Sequence, residues 1–488
     1  MRVFIVNPFD NLPIEGFRPQ RYWLMAEAFA AAGHDVTLFT SDFNHTTKRK
    51  REWEREVEVG QRKIEWEREV GVGQRNFKLV MIPTKPYRKN VSLARILSHR
   101  RFVKDLRSCI HDRPYLISNL SSLISSSSRP DLIIVSLPLI GTAAVALELK
   151  RKYGTRVVVD IMDDWPGTFY RLFPRWMRPF ARLALAPLRR AAERAYREAD
   201  LVTGVADRYA DLALKAGAKS YKRFYHGINC TPSDPRGNHC TPSDSRGSAL
   251  VSHSRYNNCF AILYLGNLGR TYDLKTAIDA VAMDERLTLD IAGKGDQEKE
   301  LKEYARERDV FSTTEGTENT EVNDCWPAAQ EGRVRFWGYL GEKEIAELAA
   351  KCRFGLVPMS DESCVGVPYK FADYARYGLY ILSSLRGESA ALLAKHGAGA
   401  VYDAGDAKSL IAAALSGERT RQASSVGGSQ DTGVTAPSPS RQIEVQSGEI
   451  PSLLSEFDAA RIYREYVDYI FTSTGGREGA TDNFGERG

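Results

Sequence analysis

A strand, a glycine-bearing loop, a helix and a second strand fill the first forty residues, and that order constrains the fold more than any other feature. Met1–Asn7 is an apolar β-run that Asn7-Pro8 ends. A polar loop with Gly16 and Pro19 follows, then a helix expected from about Gln20 to Ala32, closed by Gly33, and a strand over Asp35–Thr40. Two strands joined through a helix lie parallel, so the chain is expected to be α/β. The loop has no G-x-G-x-x-G, which sets it apart from the dinucleotide fingerprint.

Further along, strands are expected over Leu132–Ser136, Arg156–Ile161, Leu201–Gly204 and Phe224–Ile228, the last ending in His226-Gly227, with a helix over Gly141–Lys152. A polar stretch then runs to about Cys259, after which the alternation restarts. Phe260–Leu265 (FAILYL) reads as a strand, as do Leu287–Ile291 and Val334–Phe336. Cys352–Ser384 repeats strand, loop, short helix and strand: Phe354–Met359 and Tyr380–Ser383 are apolar, Pro368 suits a helix start and Gly378 its left-handed end. Two parallel-sheet domains are expected, over 1–228 and 260–455. Residues 229–259 would link them, 456–472 would form a C-terminal helix, and 473–488 a disordered tail.

Four stretches read as accessory. EWEREVEVGQRK recurs as EWEREVGVGQRN, which marks about 49–76 as a duplication looped out of the fold, and CTPSDPRGNH recurs as CTPSDSRGS within the linker. Residues 312–331 are polar and turn-rich; 417–449 are Ser/Thr/Gly/Pro-rich and expected to be disordered. Seven scattered cysteines without C-x2-C spacing point to a reducing cytosol. Cys230, His239 and Cys240 invite a zinc reading but fall in the duplicated linker, so no metal is expected. MRVFIVNPF lacks the form of a signal peptide, and the apolar run Leu132–Leu147 is too short to span a bilayer.

The net charge of +6 conceals an asymmetry. Residues 1–228 hold 40 Lys/Arg against 24 Asp/Glu, a balance of +16, and the remainder 28 against 38, or −10. Lys85–Arg107 carries eight basic residues and one acid; Phe169–Arg197 interleaves arginines with Phe, Trp, Met and Leu. Such a segment suits an anionic membrane surface, or else is a solvated helix face paired with acids elsewhere. Nucleic acid is not an expected partner, since the acidic second half gives it no footing.

Chemistry-bearing residues cluster after the strands. Gly266 and Gly269 let the backbone approach a phosphate, Arg270 offers a guanidinium fork, and Lys275 can reach the same anion. Lys370 and Asp373 share a helical face, where a carboxylate can accept two vicinal hydroxyls of a ribose. In the first half Arg18, near Gly16, either suits an anionic or hydroxylated ligand or merely solvates its loop, and an acidic loop runs Asp163-Asp164-Trp165.

In order and spacing, GHDVTLFTSDF, PDLIIVSLP, DIMDDWP, ADLVTGVADR, YHGIN, YLGNLGR, IAGKGDQ, FWGYL and VPYKFADYARYG resemble the nucleotide-sugar glycosyltransferases of the GT-B fold, most closely family 4. The resemblance implies two Rossmann-like domains facing a central cleft, with the C-terminal helix crossing back to the first. It implies that Arg270 and Lys275 bind the donor diphosphate and that Asp373 takes the ribose. Gly293, Lys294, Gly295 and Gly338 would line the nucleobase end, with Gly266, Gly269, Gly366 and Lys370 completing the donor site. Gly16, Arg18, Asp163 and Trp165 would border the reacting sugar and the acceptor. Val365 stands where the family's E-x7-E motif often has its first glutamate, and Glu362 is the nearest acid that could serve instead.

The implied activity is transfer of a sugar from a nucleoside-diphosphate donor to a lipid-linked or saccharide acceptor at a membrane, in cell-surface polysaccharide biosynthesis. A retaining, metal-independent hexosyltransferase is expected, with no cofactor beyond the donor, cytoplasmic and peripheral at the inner face of the plasma membrane. The alternatives are a nucleotide-sugar epimerase on the same scaffold and a non-catalytic paralogue that binds sugar nucleotides, which Val365 favours.

Overall fold

The structure is a computed structural model that describes residues 1–51, 67–70, 76–88, 92–111, 129–171, 173–229, 260–311, 332–360, 363, 365–426 and 449–473. The chain divides into two compact units, Met1–Asn229 with Asp458–Gly488, and Cys230–Phe457.

The first unit is built on an eight-stranded sheet. In chain order its elements are β1 (Arg2–Val6), α1 (Arg21–Ala31), β2 (Asp35–Ser41), β3 (Glu67–Val70), β4 (Phe77–Ile82), α2 (Leu93–His111), β5 (Leu132–Leu137), α3 (Ile140–Tyr153) and β6 (Arg156–Ile161). There follow α4 (Gly167–Arg171), α5 (Arg178–Ala184), α6 (Ala186–Glu198), β7 (Leu201–Gly204), α7 (Arg208–Lys215) and β8 (Tyr221–Arg223). The strands lie in the order β3-β4-β2-β1-β5-β6-β7-β8, all parallel except β3. β5 (LIIVSL) is buried along its whole length, as a strand covered by helices on both faces must be.

The second unit continues with β9 (Phe260–Leu265), α8 (Leu274–Met283), β10 (Leu287–Ala292), α9 (Glu298–Glu307), β11 (Val334–Gly338), α10 (Glu342–Ala349) and β12 (Phe354–Val357). It ends with α11 (Tyr369–Arg376), β13 (Tyr380–Ser383), α12 (Glu388–Lys395), β14 (Gly399–Val401), α13 (Ala407–Val426) and α14 (Glu449–Ser455). Its six strands are all parallel, in the order β11-β10-β9-β12-β13-β14.

The last helix, α15 (Ala459–Thr472), belongs to the first unit and packs on α1. Asp458 caps it by accepting from the Ala460 N–H, and Ile462, Tyr463, Tyr466, Val467 and Ile470 form its buried stripe. Beneath it lies a fully buried ion pair. Arg21 donates to Asp160 through Nε at 2.8 Å and Nη2 at 2.9 Å, while Tyr22 and Thr203 hydroxyls donate to the same carboxylate at 2.7 Å. Every oxygen and nitrogen of the pair is thus engaged, which is what makes burying two charges tolerable; removing one partner of such a pair costs about 3–5 kcal/mol.

Three expectations change. Phe224–Ile228 is not a strand: β8 ends at Arg223, and the Phe224 and Tyr225 carbonyls accept from Arg21 Nη1 at 2.9 and 3.0 Å instead of a ladder partner. The 49–76 duplication is not wholly looped out, because its second copy supplies β3, an antiparallel edge strand of alternating charge paired with β4. Helix α13 runs on to Val426, past the point where disorder was expected to begin. The 312–331 stretch, most of the linker and the tail lie outside the described residues.

Candidate functional site

In an open parallel sheet, ligands settle outside the carboxyl ends of the strands where the strand order reverses. In the second unit that point lies between β9 and β12. There the loops after β9, β10 and β11 are stitched backbone to backbone. Gly266 N–H donates to Ala292 at 2.9 Å, Leu268 N–H to Lys294 at 3.1 Å, Gln297 N–H to Leu268 at 3.0 Å, and Gly293 N–H to Gly338 at 2.6 Å. Gly293 has φ +154°, and a Cβ there would overlap the Gly266 carbonyl oxygen. Gly295 is pressed in the same way against the Leu268 carbonyl. The glycines therefore let the loops cross at backbone hydrogen-bond distance.

Helix α11 closes the platform. Pro368 precedes it without a side-chain cap, which leaves first-turn N–H groups directed at this end of the sheet. Tyr374 fixes the helix: its hydroxyl donates to the Leu356 carbonyl at 2.9 Å and accepts from the Leu265 N–H at 3.0 Å. Lys370 reaches under the Gly266 loop, where its ammonium donates to the Leu265 carbonyl at 2.5 Å. It sits 4.3 Å from the Tyr264 ring centre and 4.5 Å from that of Tyr272. Burial pushes this amine down to about 7, with Asp373, one turn along α11, opposing the shift. A Cβ on Gly266 would overlap the Lys370 ammonium, so the loop's close approach and the lysine's position depend on each other.

Arg270, in the same loop, is exposed. Lys275 lies on α8 with its ammonium 2.6 Å from Glu300 on α9, which raises its pKa, and 5.0 Å from the Tyr304 ring. Arg270 acts on the same Glu300 carboxylate, whose pKa both cations lower, Lys275 first. In the unliganded chain the Lys275 ammonium is held by Glu300 in an exposed ion pair, while Lys370 is the lysine enclosed by the platform. Asp273 likewise caps α8 through the Thr276 N–H, occupying that helix start. The Gly366 carbonyl accepts from Ser389 at 2.5 Å, Lys294 is exposed beside Gly338, and Glu362 lies outside the described residues.

In the first unit Gly16 adopts φ +81° at a loop tip and Arg18 is exposed. Neighbouring Glu15 is structural, accepting from Leu12, Asn44 and Arg51. Asp163 is bound locally by the Asp164 N–H at 2.9 Å, and burial, then Asp164, raises its pKa. Trp165 stacks edge-on against Phe169, with Arg95 over its ring at 5.5 Å. Arg95 and its aromatic neighbours are a grouping that sequence reading missed; the basic stretch Lys85–Arg107 contains Arg95, but its charge alone does not single it out. Among the described residues no three His, Cys, Asp or Glu side chains converge, and no helix is long and apolar enough to cross a membrane.

Comparison with known proteins agrees with this division. Residues 20–225 match the family described as "Glycosyl transferase 4-like domain", and residues 259–416 match "Glycosyl transferases group 1". No curated protein shows significant sequence similarity to the chain. Among solved structures, sucrose-phosphate synthase from Thermosynechococcus elongatus aligns with TM-score 0.61 at 12% identity, over 96% of this chain and 98% of its own. HepE of Anabaena in complex with UDP-glucose aligns with TM-score 0.54 at 15% identity, over 97% and 100%. The lipopolysaccharide outer core galactosyltransferase WaaB aligns with TM-score 0.51 at 13% identity, over 97% and 99%.

Proposed function

Because this chain belongs to the GT-B glycosyltransferases of family-4 type, we propose that it transfers a hexosyl group from a nucleoside-diphosphate sugar to a membrane-associated, lipid-linked or saccharide acceptor. One observation carries the reading: a stitched glycine platform at the sheet's switch point, with Lys370 enclosed beneath it and Arg270 at its rim. Departure of a diphosphate from an anomeric carbon leaves negative charge that fixed cations and backbone N–H groups stabilise. Arg270 supplies a fork, Lys370 a point charge and α11 its uncapped first turn, while Asp373 receives the ribose hydroxyls. With these groups in place the reaction is proposed to proceed without a divalent ion and with retention of anomeric configuration. UDP-glucose in the HepE complex makes a uridine diphosphate sugar the first donor to test.

The first unit is the proposed acceptor and membrane side, with a role in cell-surface polysaccharide synthesis. Trp176, Phe180 and Leu183 are 73%, 69% and 77% exposed and alternate with Arg175, Arg178 and Arg182. Leu93, Ile96 and Leu97 of α2 are exposed beside Arg100 and Arg101. Apolar side chains rimmed by arginine suit the headgroup layer of an anionic bilayer, where each cation contributes about 1 kcal/mol.

A thermal-shift screen against nucleoside diphosphates and their sugars tests the donor site. At about a hundredfold excess over Kd a ligand stabilises by about 2.7 kcal/mol, a rise of about 5 °C. Arg270→Ala should lose the rise while Arg178→Ala keeps it. If both variants respond as the parent does, the phosphate assignment is wrong.

A further inference from the structure

The first sheet has its own switch point, between β1 and β5, and a second constellation gathers at that end of the strands. Phe9 follows β1, His45 and Lys48 follow β2, Tyr87 follows β4 and Trp165 follows β6; Arg95 and His99 come from one face of α2. The rings touch edge to face or tilted: Phe9 lies 5.7 Å from His45 and 5.3 Å from His99, and His99 lies 6.4 Å from Trp165. His45 Nδ1 is 2.6 Å from the Tyr87 hydroxyl.

Two cations lie over these rings. The Arg95 guanidinium is 5.8 Å from the Phe9 centre, 6.0 Å from Tyr87 and 5.5 Å from Trp165, and its Nε donates to His99 Nε2 at 3.3 Å. The Lys48 ammonium is 5.0 Å from the Tyr87 centre and donates to the His45 carbonyl at 2.5 Å. Burial, then the two cations, hold His45 down at about 3, and burial with Arg95 holds His99 at about 4, so both imidazoles are neutral near pH 7. Behind the rings, among Phe9, Tyr87, His99 and Leu139, the cavity is only about 10 Å³, room for one water. Tyr87 is buried, so a ligand lies across the outer faces of the half-buried Phe9, His45, His99 and Trp165 rings, not between them.

An apolar, flat-faced floor with two cations is matched to a pyranose whose C–H face lies on the rings and whose substituent is anionic. We propose that this cradle is a specificity subsite for an acceptor sugar bearing a phosphoryl group, with Arg95 and Lys48 on the phosphoryl oxygens. The inference rests on the glycosyltransferase reading and names its acceptor class. The phosphoryl can belong to a free sugar phosphate or to the diphosphate of a lipid-linked sugar.

The test is ligand-observed NMR titration of the full chain, with and without UDP, using glucose, glucose 6-phosphate, inorganic phosphate and glucosyl citronellyl diphosphate. The parent should bind glucose 6-phosphate or the citronellyl compound at least about tenfold more tightly than glucose or phosphate, and the tighter of the two identifies the source. Arg95→Met should erase that preference and leave the UDP-induced thermal shift unchanged, whereas Lys48→Met, on an exposed loop, should reduce it. Equal binding of glucose and both phosphorylated probes overturns the proposal, as does equal binding of inorganic phosphate, or a preference that survives both substitutions. Titration without UDP separates the two readings: absence of any UDP response removes the donor assignment while the sugar-phosphate preference stands or falls by itself.

Discussion

Replacing Lys370 by methionine should remove a pH dependence from donor binding. The lysine amine is held at about 7 in the unliganded protein, against an ordinary 10.5. A diphosphate seated over the Gly266 loop favours the ammonium and returns the group toward its ordinary value. Binding then takes up a proton, so affinity is highest where the free protein is already protonated and falls as pH rises above about 7. Full restoration makes nucleoside-diphosphate-sugar affinity about 50-fold weaker at about pH 9 than at about pH 7, or about 2 kcal/mol; restoration to about 9 still gives about 25-fold. Diester donors such as UDP-glucose are the right probe, because their own phosphates do not titrate there. Calorimetry in buffers of different ionisation enthalpy reads both the affinity and the proton uptake. Lys370→Met should bind more weakly at about pH 7 but with a flat profile. A flat profile in the parent, or the same slope in the variant, refutes the placement of the diphosphate. The unliganded protein provides a control of opposite sign. Between about 7 and 10.5 the unfolded chain holds a proton that the folded chain has released, so the parent should gain stability over Lys370→Met as pH rises through that window.

Two further outcomes follow from geometry and charge. Gly293→Ala should destabilise by more than about 3 kcal/mol in denaturant titration, since its Cβ overlaps the Gly266 oxygen at φ +154°, while Gly16→Ala, at φ +81° with open space around it, should cost only about 1 kcal/mol. The protein should co-sediment with vesicles rich in phosphatidylglycerol and not with phosphatidylcholine alone; Trp176→Ser with Phe180→Ser should weaken that binding about tenfold or more without altering the donor-induced thermal shift.

Strands were legible wherever an apolar run was buried on both faces: Arg156–Ile161, Leu201–Gly204, Phe260–Leu265 and Tyr380–Ser383 fall where their residues place them. The start of α11 was legible from Pro368, because a proline there sacrifices no helical hydrogen bond. Phe224–Ile228 misled because its composition suits a strand, yet Arg21, about two hundred residues away, captures its carbonyls. Spacing put Lys275 near Arg270, and only the fold brings in Glu300 from α9 to hold it. The fold also moves Lys370 from a helix face to a tyrosine-lined recess. The cradle of Arg95 and its rings draws on five separate segments, and none carries a local pattern that announces the others.

A crystal structure with UDP, or with whichever diphosphate gives the largest thermal shift, tests the central assignment most directly. Diphosphate oxygens should lie within hydrogen-bond reach of Arg270 and the Gly266–Gly269 backbone, near the Lys370 ammonium, with the ribose hydroxyls on Asp373. Density for the nucleotide away from the β9 and β12 strand ends, with Arg270 and Asp373 untouched, would contradict it.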